Sequence, residues 1–169
     1  MFLILFTLPL ACSKDIRRRT PINYYLLFAV TCFEAIYIAA FASLFEPESV
    51  LLALGVCAAT VSCLFVTAWF TPISDHILKF MVIGLVISLI MQVMFLVMLF
   101  FMSVIPETLM IVYASLGVIG TGIFILVDLF VIMKPGLMDF DDYILGALNL
   151  YFDIVRMFVY LLMLLGSRK

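Results

Sequence analysis

An all-α integral membrane protein is the fold class this sequence predicts: a polytopic helical bundle of five full membrane helices plus a partial N-terminal one. Three observations point there. Apolar residues make up 67% of the 169 residues and charged residues only 12%, and the mean hydropathy is +1.35. A soluble domain sits at roughly half apolar and about a quarter charged. The apolar residues also gather into runs long enough for the roughly 20-residue helix that crosses a bilayer. Finally, the basic residues fall in alternate loops. Nine Lys+Arg and eleven Asp+Glu cannot clothe so oily a chain in solvated charge. A soluble globular domain and a disordered tail are thereby excluded, and residues 1–169 read as a single membrane domain. A net charge of −2 and a pI near 5.2 exclude nucleic acid as a partner, because phosphate binding needs a dense basic face.

The elements follow in order. Residues 1–12 are apolar but long enough for only half a crossing, and no basic stretch precedes them as in a signal peptide. They read as a truncated membrane helix. Residues 13–22 form a polar connector carrying Lys14, Arg17, Arg18 and Arg19 and closed by Pro21. The first full span is 23–45, with Glu34 near its middle. A tight acidic loop, 46–49, holds Glu46, Pro47 and Glu48, and Ser49 is placed as an N-cap. The second span, 50–70, is rich in Ala53, Gly55, Ala58, Ala59 and Ser62, small residues that let helix backbones approach. Trp69 at its end suits the headgroup interface.

Residues 71–79 are polar, and 80–102 is the third span, broken only by Gly84, Ser88 and Gln92. A turn around Pro106 leads to the fourth span, 109–133, with Gly117, Gly120 and Gly122 along it and Asp128 near its end. Lys134, Pro135 and Gly136 stop that span, and Asp139, Asp141 and Asp142 cap the next. The last apolar segment, 143–165, contains Asn149, Asp153 and Arg156.

Cytosolic loops near span ends are enriched in Lys and Arg. Loops 13–22, 71–79 and 134–142 together hold six basic residues, whereas loops 46–49 and 103–108 hold none and carry Glu46, Glu48 and Glu107. The basic loops are therefore expected on the cytosolic side. Arg168 and Lys169 break the alternation if the last segment spans, and fit it if that segment re-enters.

No catalytic constellation is present, so the chain is not expected to be an enzyme. The single histidine, His76, sits in a loop beside Asp75 and reads as solvated. The glycines 117, 120 and 122 superficially resemble a nucleotide-binding loop, but no strand precedes them, and helix packing explains them better. Cys12, Cys32, Cys57 and Cys63 form no closely spaced pair, so they read as small apolar packers and no metal site is expected. The informative residues are ionisable groups at membrane depth: Glu34, Asp128, Asp153 and Arg156. A charge near the bilayer centre costs about 2.5–3.5 kcal/mol on insertion scales. Such groups line ion or proton paths, or they pair merely to fix helix register.

The stretch from Asp142 to Arg156, DYILGALNLYFDIVR, and the apolar run on to Gly166 resemble the C-terminal signature of the Bax inhibitor-1 / lifeguard family. That signature has an acidic-Tyr-Ile opening, Ala-Leu-x-Leu-Tyr-x-Asp-Ile, and a Leu-Leu-Gly ending. In the right order, RRRTPIN from Arg17 to Asn23 resembles the start of the family's third helix. Leu126, Val127 and Asp128 resemble the Tyr-Asp step near the end of its sixth. The resemblance covers Arg17 to Gly166 and implies a Bax inhibitor-1-like bundle of seven helices around a central last one, here with the first helix missing. It also implies a calcium leak in an intracellular membrane, endoplasmic reticulum or Golgi, that suppresses cell death, with calcium as permeant ion and no cofactor.

By that resemblance Asp128 and Asp153 match the family's paired aspartates, an ion-path pH sensor, and Arg17 matches the cationic latch. Two carboxylates together in a low-dielectric core do not easily both ionise, so the pair is expected to titrate as one unit. Arg156 departs from the neutral amide usual in the family. It lies three residues after Asp153, close enough to pair with it and oppose sensing, or else it snorkels to the interface. Arg156 and Glu34 are thus modulating residues. The expected partners are the bilayer, calcium ions, and other apoptosis-related membrane proteins or a second copy. The leading reading is a pH-sensitive calcium leak that regulates apoptosis. The alternatives are a non-conducting scaffold acting through partner proteins, and an inactive truncated paralogue.

Overall fold

The computed structural model describes residues 21–70, 87, 90, 91, 93, 94, 106–133 and 143–167. Among them lie four long helices and no strand: α1 (Ile22–Ala42), α2 (Pro47–Phe70), α3 (Glu107–Met133) and α4 (Tyr143–Leu165). All four are long and apolar enough to cross a membrane. At about 1.5 Å per residue, even the shortest outspans a hydrocarbon core of about 30 Å. The arrangement is that of a multi-pass helical membrane protein. The third expected span, 80–102, the N-terminal segment 1–12 and the basic loops fall mainly or wholly outside the described residues.

Prolines set three of the helix starts, and Pro21, just before α1, accepts at its carbonyl from Tyr24 N and Tyr25 N. Pro47 is the first residue of α2, where its missing N–H costs nothing, and Val50 N donates to Glu46 O at 3.1 Å. Pro106 precedes α3, and its carbonyl accepts from Leu109 N and Met110 N. Residues 43–45, expected within the first span, instead make the turn out of α1, with Leu44 N and Phe45 N bonded three residues back to Phe41 O and Ala42 O. Ser49 is not an N-cap. It lies inside α2, and its Oγ accepts from Ser167 N at 3.0 Å, a bond across 118 residues that sequence spacing does not disclose.

The C-terminus thus docks on the α1–α2 turn. Glu46 N donates to Ser167 O at 3.0 Å, and Gly166 lies against Phe45 so closely that a Cβ there would come 2.5 Å from the ring. At the opposite end, Val30 of α1 packs with Ile144 and Leu148 of α4. Hence α1 and α4 run in the same direction, and α4 is one unbroken helix from Tyr143 to Leu165 rather than a re-entrant loop. Contacts of Cys57 with Ile154, and of Gly117 with Tyr160, set α2 and α3 antiparallel to α4. The end of α2 and the start of α3 therefore lie at opposite ends of the bundle.

α4 is the central helix, packing against α1, α2 and α3. Its Met157, Tyr160, Leu161 and Leu162 join Ala53, Cys57, Ala114 and Ile125 in the main core. Outward faces carry Tyr25, Phe28, Leu51, Trp69 and Phe70, all more than two-thirds exposed or nearly so, which only lipid makes tolerable. The small-residue stripe of α2 divides. Ala53 is buried in the core, but Gly55, Ala58, Ala59 and Ser62 are exposed and do not serve as packing surface for the described helices. On α3, Gly117 abuts Tyr160 and Gly122 meets Met157, whereas Gly120 has open space around it.

Candidate intramembrane charge cluster

The 3.6-residue period of α4 places Asp153, Arg156 and Tyr160 along one face, at spacings of three and four. Asp153 is 7% exposed. Arg156 Nη1 lies 3.4 Å from Asp153 Oδ1, an ion pair within one helix whose arginine reaches partly toward solvent or headgroups. Residues on the other helices converge on the same pair. Asp128, half-buried in the last turns of α3, is within electrostatic reach of both Arg156 and Asp153. Glu34, 8% exposed on α1, is within reach of Arg156. On each of the three described helices that bear an acid at membrane depth, that acid lies within electrostatic reach of the one Arg156 guanidinium, as expected where lipid cannot solvate charge.

Towards the C-terminal end of α4 the polar face continues as a tyrosine pair. Tyr113 of α3 and Tyr160 of α4 meet edge to face, ring centroids 5.5 Å apart at 75°. Tyr113 Oη donates to Met91 O at 2.7 Å, so its one proton is spent. Tyr160 is therefore the donor across the 3.2 Å separation of the two hydroxyls. Gly117 makes room for the Tyr160 ring: a Cβ there would sit 2.7 Å from the ring carbons. Thr121 returns its hydroxyl to Gly117 O at 2.8 Å and needs no partner from the core.

The structure thus brings Asp128, Asp153 and Arg156 into one cluster and adds Glu34 at its edge. Arg17 lies outside the described residues. No group of three or more acidic, cysteine or histidine side chains suited to hold a metal ion occurs among the described residues. Cys32, Cys57 and Cys63 are free thiols; Cys57 donates weakly to Ile154 O at 3.8 Å, inside the core. Sequence reasoning missed the tyrosines. Tyr113, Tyr160, Tyr37 and Tyr151 all lie within reach of the cluster's charges. Their signal was available: phenols at membrane depth whose hydroxyls need partners, with Tyr160 seven residues after Asp153 on the same helical face.

Comparison with known proteins gives one consistent answer. The family profile described as "Inhibitor of apoptosis-promoting Bax1" matches residues 1–169. The chain is 31% identical to protein lifeguard 3 of Mus musculus, over 99% of its own length and 54% of the relative's. It is 29% identical to protein lifeguard 3 of Homo sapiens, over 95% of the chain and 52% of the relative. It is 33% identical to protein lifeguard 4 of Mus musculus, over 95% and 65% respectively. The chain therefore spans about half to two-thirds of the length of these relatives.

Proposed function

This chain belongs to the Bax1 inhibitor (lifeguard) family, and from that premise we propose that it is a multi-pass protein of an intracellular membrane, a pH-sensitive calcium leak that regulates apoptosis. The single observation that carries the reading is the electrostatic juxtaposition of Asp128 on α3 and Asp153 on the central α4. Two carboxylates sharing a low-dielectric site behave as one titrating unit. A proton added to the pair changes its attraction for a cation and for any arginine beside it, and that local charge change biases how α3 packs on α4. Endoplasmic reticulum or Golgi is the proposed location, and the Arg17 latch and calcium as permeant ion are part of the same proposal.

A second reading rests on Arg156. A guanidinium 3.4 Å from Asp153 is a resident cation where a permeant one would pass, and it repels further positive charge. On that reading the chain is a non-conducting scaffold that modulates apoptosis through partner membrane proteins or a second copy. Calcium flux in vesicles reconstituted with the full chain, measured across a pH series, separates the two. The leak predicts a flux whose pH dependence disappears in Asp153→Asn and survives in Glu48→Gln. Absence of flux at every pH favours the scaffold, which co-purification of partners from membranes then tests.

A further inference from the structure

Glu34, expected from the sequence only to modulate, is the buried acid to which neither reading assigns a step. Its carboxyl sits midway along α1, 8% exposed, and Oε2 is buried with no hydrogen-bond partner among the described residues. Burying an oxygen that carries charge without a donor is costly in any apolar medium, and more so at membrane depth. Three arrangements could relieve that cost. A divalent cation is the poorest of them, because calcium takes about six to eight oxygens and the groups facing Glu34 supply few. Tyr37 lies on α1 itself, and Tyr151 and Arg156 lie on α4, the helix against which α1 packs. Cys32, on α1, lies within reach of Tyr151, and Tyr160 within reach of Tyr37. No described metal-type group exists there. The second arrangement, full neutralisation by Arg156, competes with the ion pair that Arg156 makes with Asp153 at 3.4 Å. A proton on Oε2 removes the charge and requires no rearrangement.

We propose that Glu34 is a proton-binding site in the seam between α1 and α4, separate from the Asp128–Asp153 pair. It holds its proton under the partial influence of Arg156, whose charge favours the ionised carboxylate. Because the acid faces α4 from α1, gain or loss of the proton acts on the packing of those two helices. The site does not depend on whether the protein conducts calcium.

A carbodiimide tests this directly, since dicyclohexylcarbodiimide partitions into apolar sites and reacts with a protonated carboxyl. The carboxyl O–H adds across one C=N bond, the proton going to nitrogen and the oxygen to the central carbon. The acyl group then migrates from oxygen to nitrogen, leaving a stable N-acylurea with nothing expelled and nothing oxidised. The full chain, reconstituted in liposomes, is treated across a pH series from about 5 to about 9, spanning the ordinary carboxyl range and beyond it. Peptide mass spectrometry then locates the adduct. The adduct is expected at Glu34 and not at the water-exposed Glu46 and Glu48. Above its midpoint the labelling rate falls about tenfold per pH unit, as for any single titrating acid. Glu34→Gln removes the adduct, and Arg156→Gln carries labelling to higher pH. Absence of a Glu34 adduct throughout the series, or labelling independent of pH, overturns the proposal. An unchanged midpoint in Arg156→Gln overturns the part assigned to Arg156. The pH profile of the unaltered chain decides the main point even if a variant folds poorly.

Discussion

Asp153 and Arg156 are three residues apart on α4 and 3.4 Å apart in space, so neither can be changed without altering the charge seen by Asp128 and Glu34. An arginine stays protonated under essentially all conditions. Replacing it by glutamine removes a fixed positive charge from beside the proposed cation path, where low dielectric strengthens repulsion. Arg156→Gln is therefore expected to increase calcium flux in reconstituted vesicles; a measurable flux left unchanged would show that the guanidinium does not obstruct the path. Tyr113 offers a test independent of conduction. Phenylalanine there deprives Met91 O of its donor and the Tyr160 hydroxyl of its acceptor while keeping the edge-to-face ring contact. Interhelical hydrogen bonds in membranes contribute about 0.6 kcal/mol each on average, so Tyr113→Phe should cost about 1 kcal/mol. Denaturant titration of the detergent-solubilised protein measures it.

At the scale of the element, α3 carries two glycines with opposite expectations. Alanine is favoured over glycine within a helix by about 1 kcal/mol. At Gly120 nothing lies within 4 Å of an added Cβ, so Gly120→Ala should be neutral or slightly stabilising. At Gly117 the Cβ would lie 2.7 Å from the Tyr160 ring, which cannot swing away without giving up its bond to Tyr113. Overpacking of this kind costs about 1–3 kcal/mol, more than the helix gains, so Gly117→Ala should lower the unfolding midpoint. A Gly117→Ala variant as stable as the parent would show that α3 and α4 approach less closely than described here. The contrast between these glycines, three residues apart, measures where α3 meets α4 and where it does not.

Across the whole molecule, the α1–α2 turn, the start of α3 and the end of α4 share one end of the bundle. Glu46 N bonds Ser167 O, and Tyr113, near the start of α3, meets Tyr160, near the end of α4. If the basic loops lie on the cytosolic side, as their charge predicts, that shared end is expected to face away from the cytosol, against the charge of Arg168 and Lys169 that follow it in sequence. Cysteines introduced as Glu48→Cys and Glu107→Cys should react with an impermeant maleimide only after sealed microsomes are opened. The native Cys12, Cys32 and Cys63 are replaced by serine beforehand, Cys32 and Cys63 because both are exposed on helix faces. Reaction of both engineered sites in intact microsomes would invert the arrangement.

The amino-acid sequence alone is enough for the membrane class, the family and the approximate positions of the four described helices. Each follows from local physics: apolar runs long enough to cross hydrocarbon, prolines that permit a helix to start but not to continue, and a contiguous signature from Asp142 to Arg156. It also marked Glu34, Asp128, Asp153 and Arg156, because ionisable groups at membrane depth stand out against any apolar run. The Asp153–Arg156 pair was legible too, since a three-residue spacing fixes proximity within one helix. What lies across the helices came from packing in three dimensions. It set Ser49 against Ser167 rather than at a cap and put Tyr160 over Gly117. It turned Gly55 and Ala58 outward despite their size, and it placed Glu34 against α4 with one oxygen unpartnered among the described residues. The physical reason is that lipid solvates every apolar helix face about equally well. Hydrophobic pattern therefore says that a helix is in the membrane and not which side meets its neighbours; close packing and buried hydrogen bonds settle that, and both depend on residues from tens to more than a hundred positions apart.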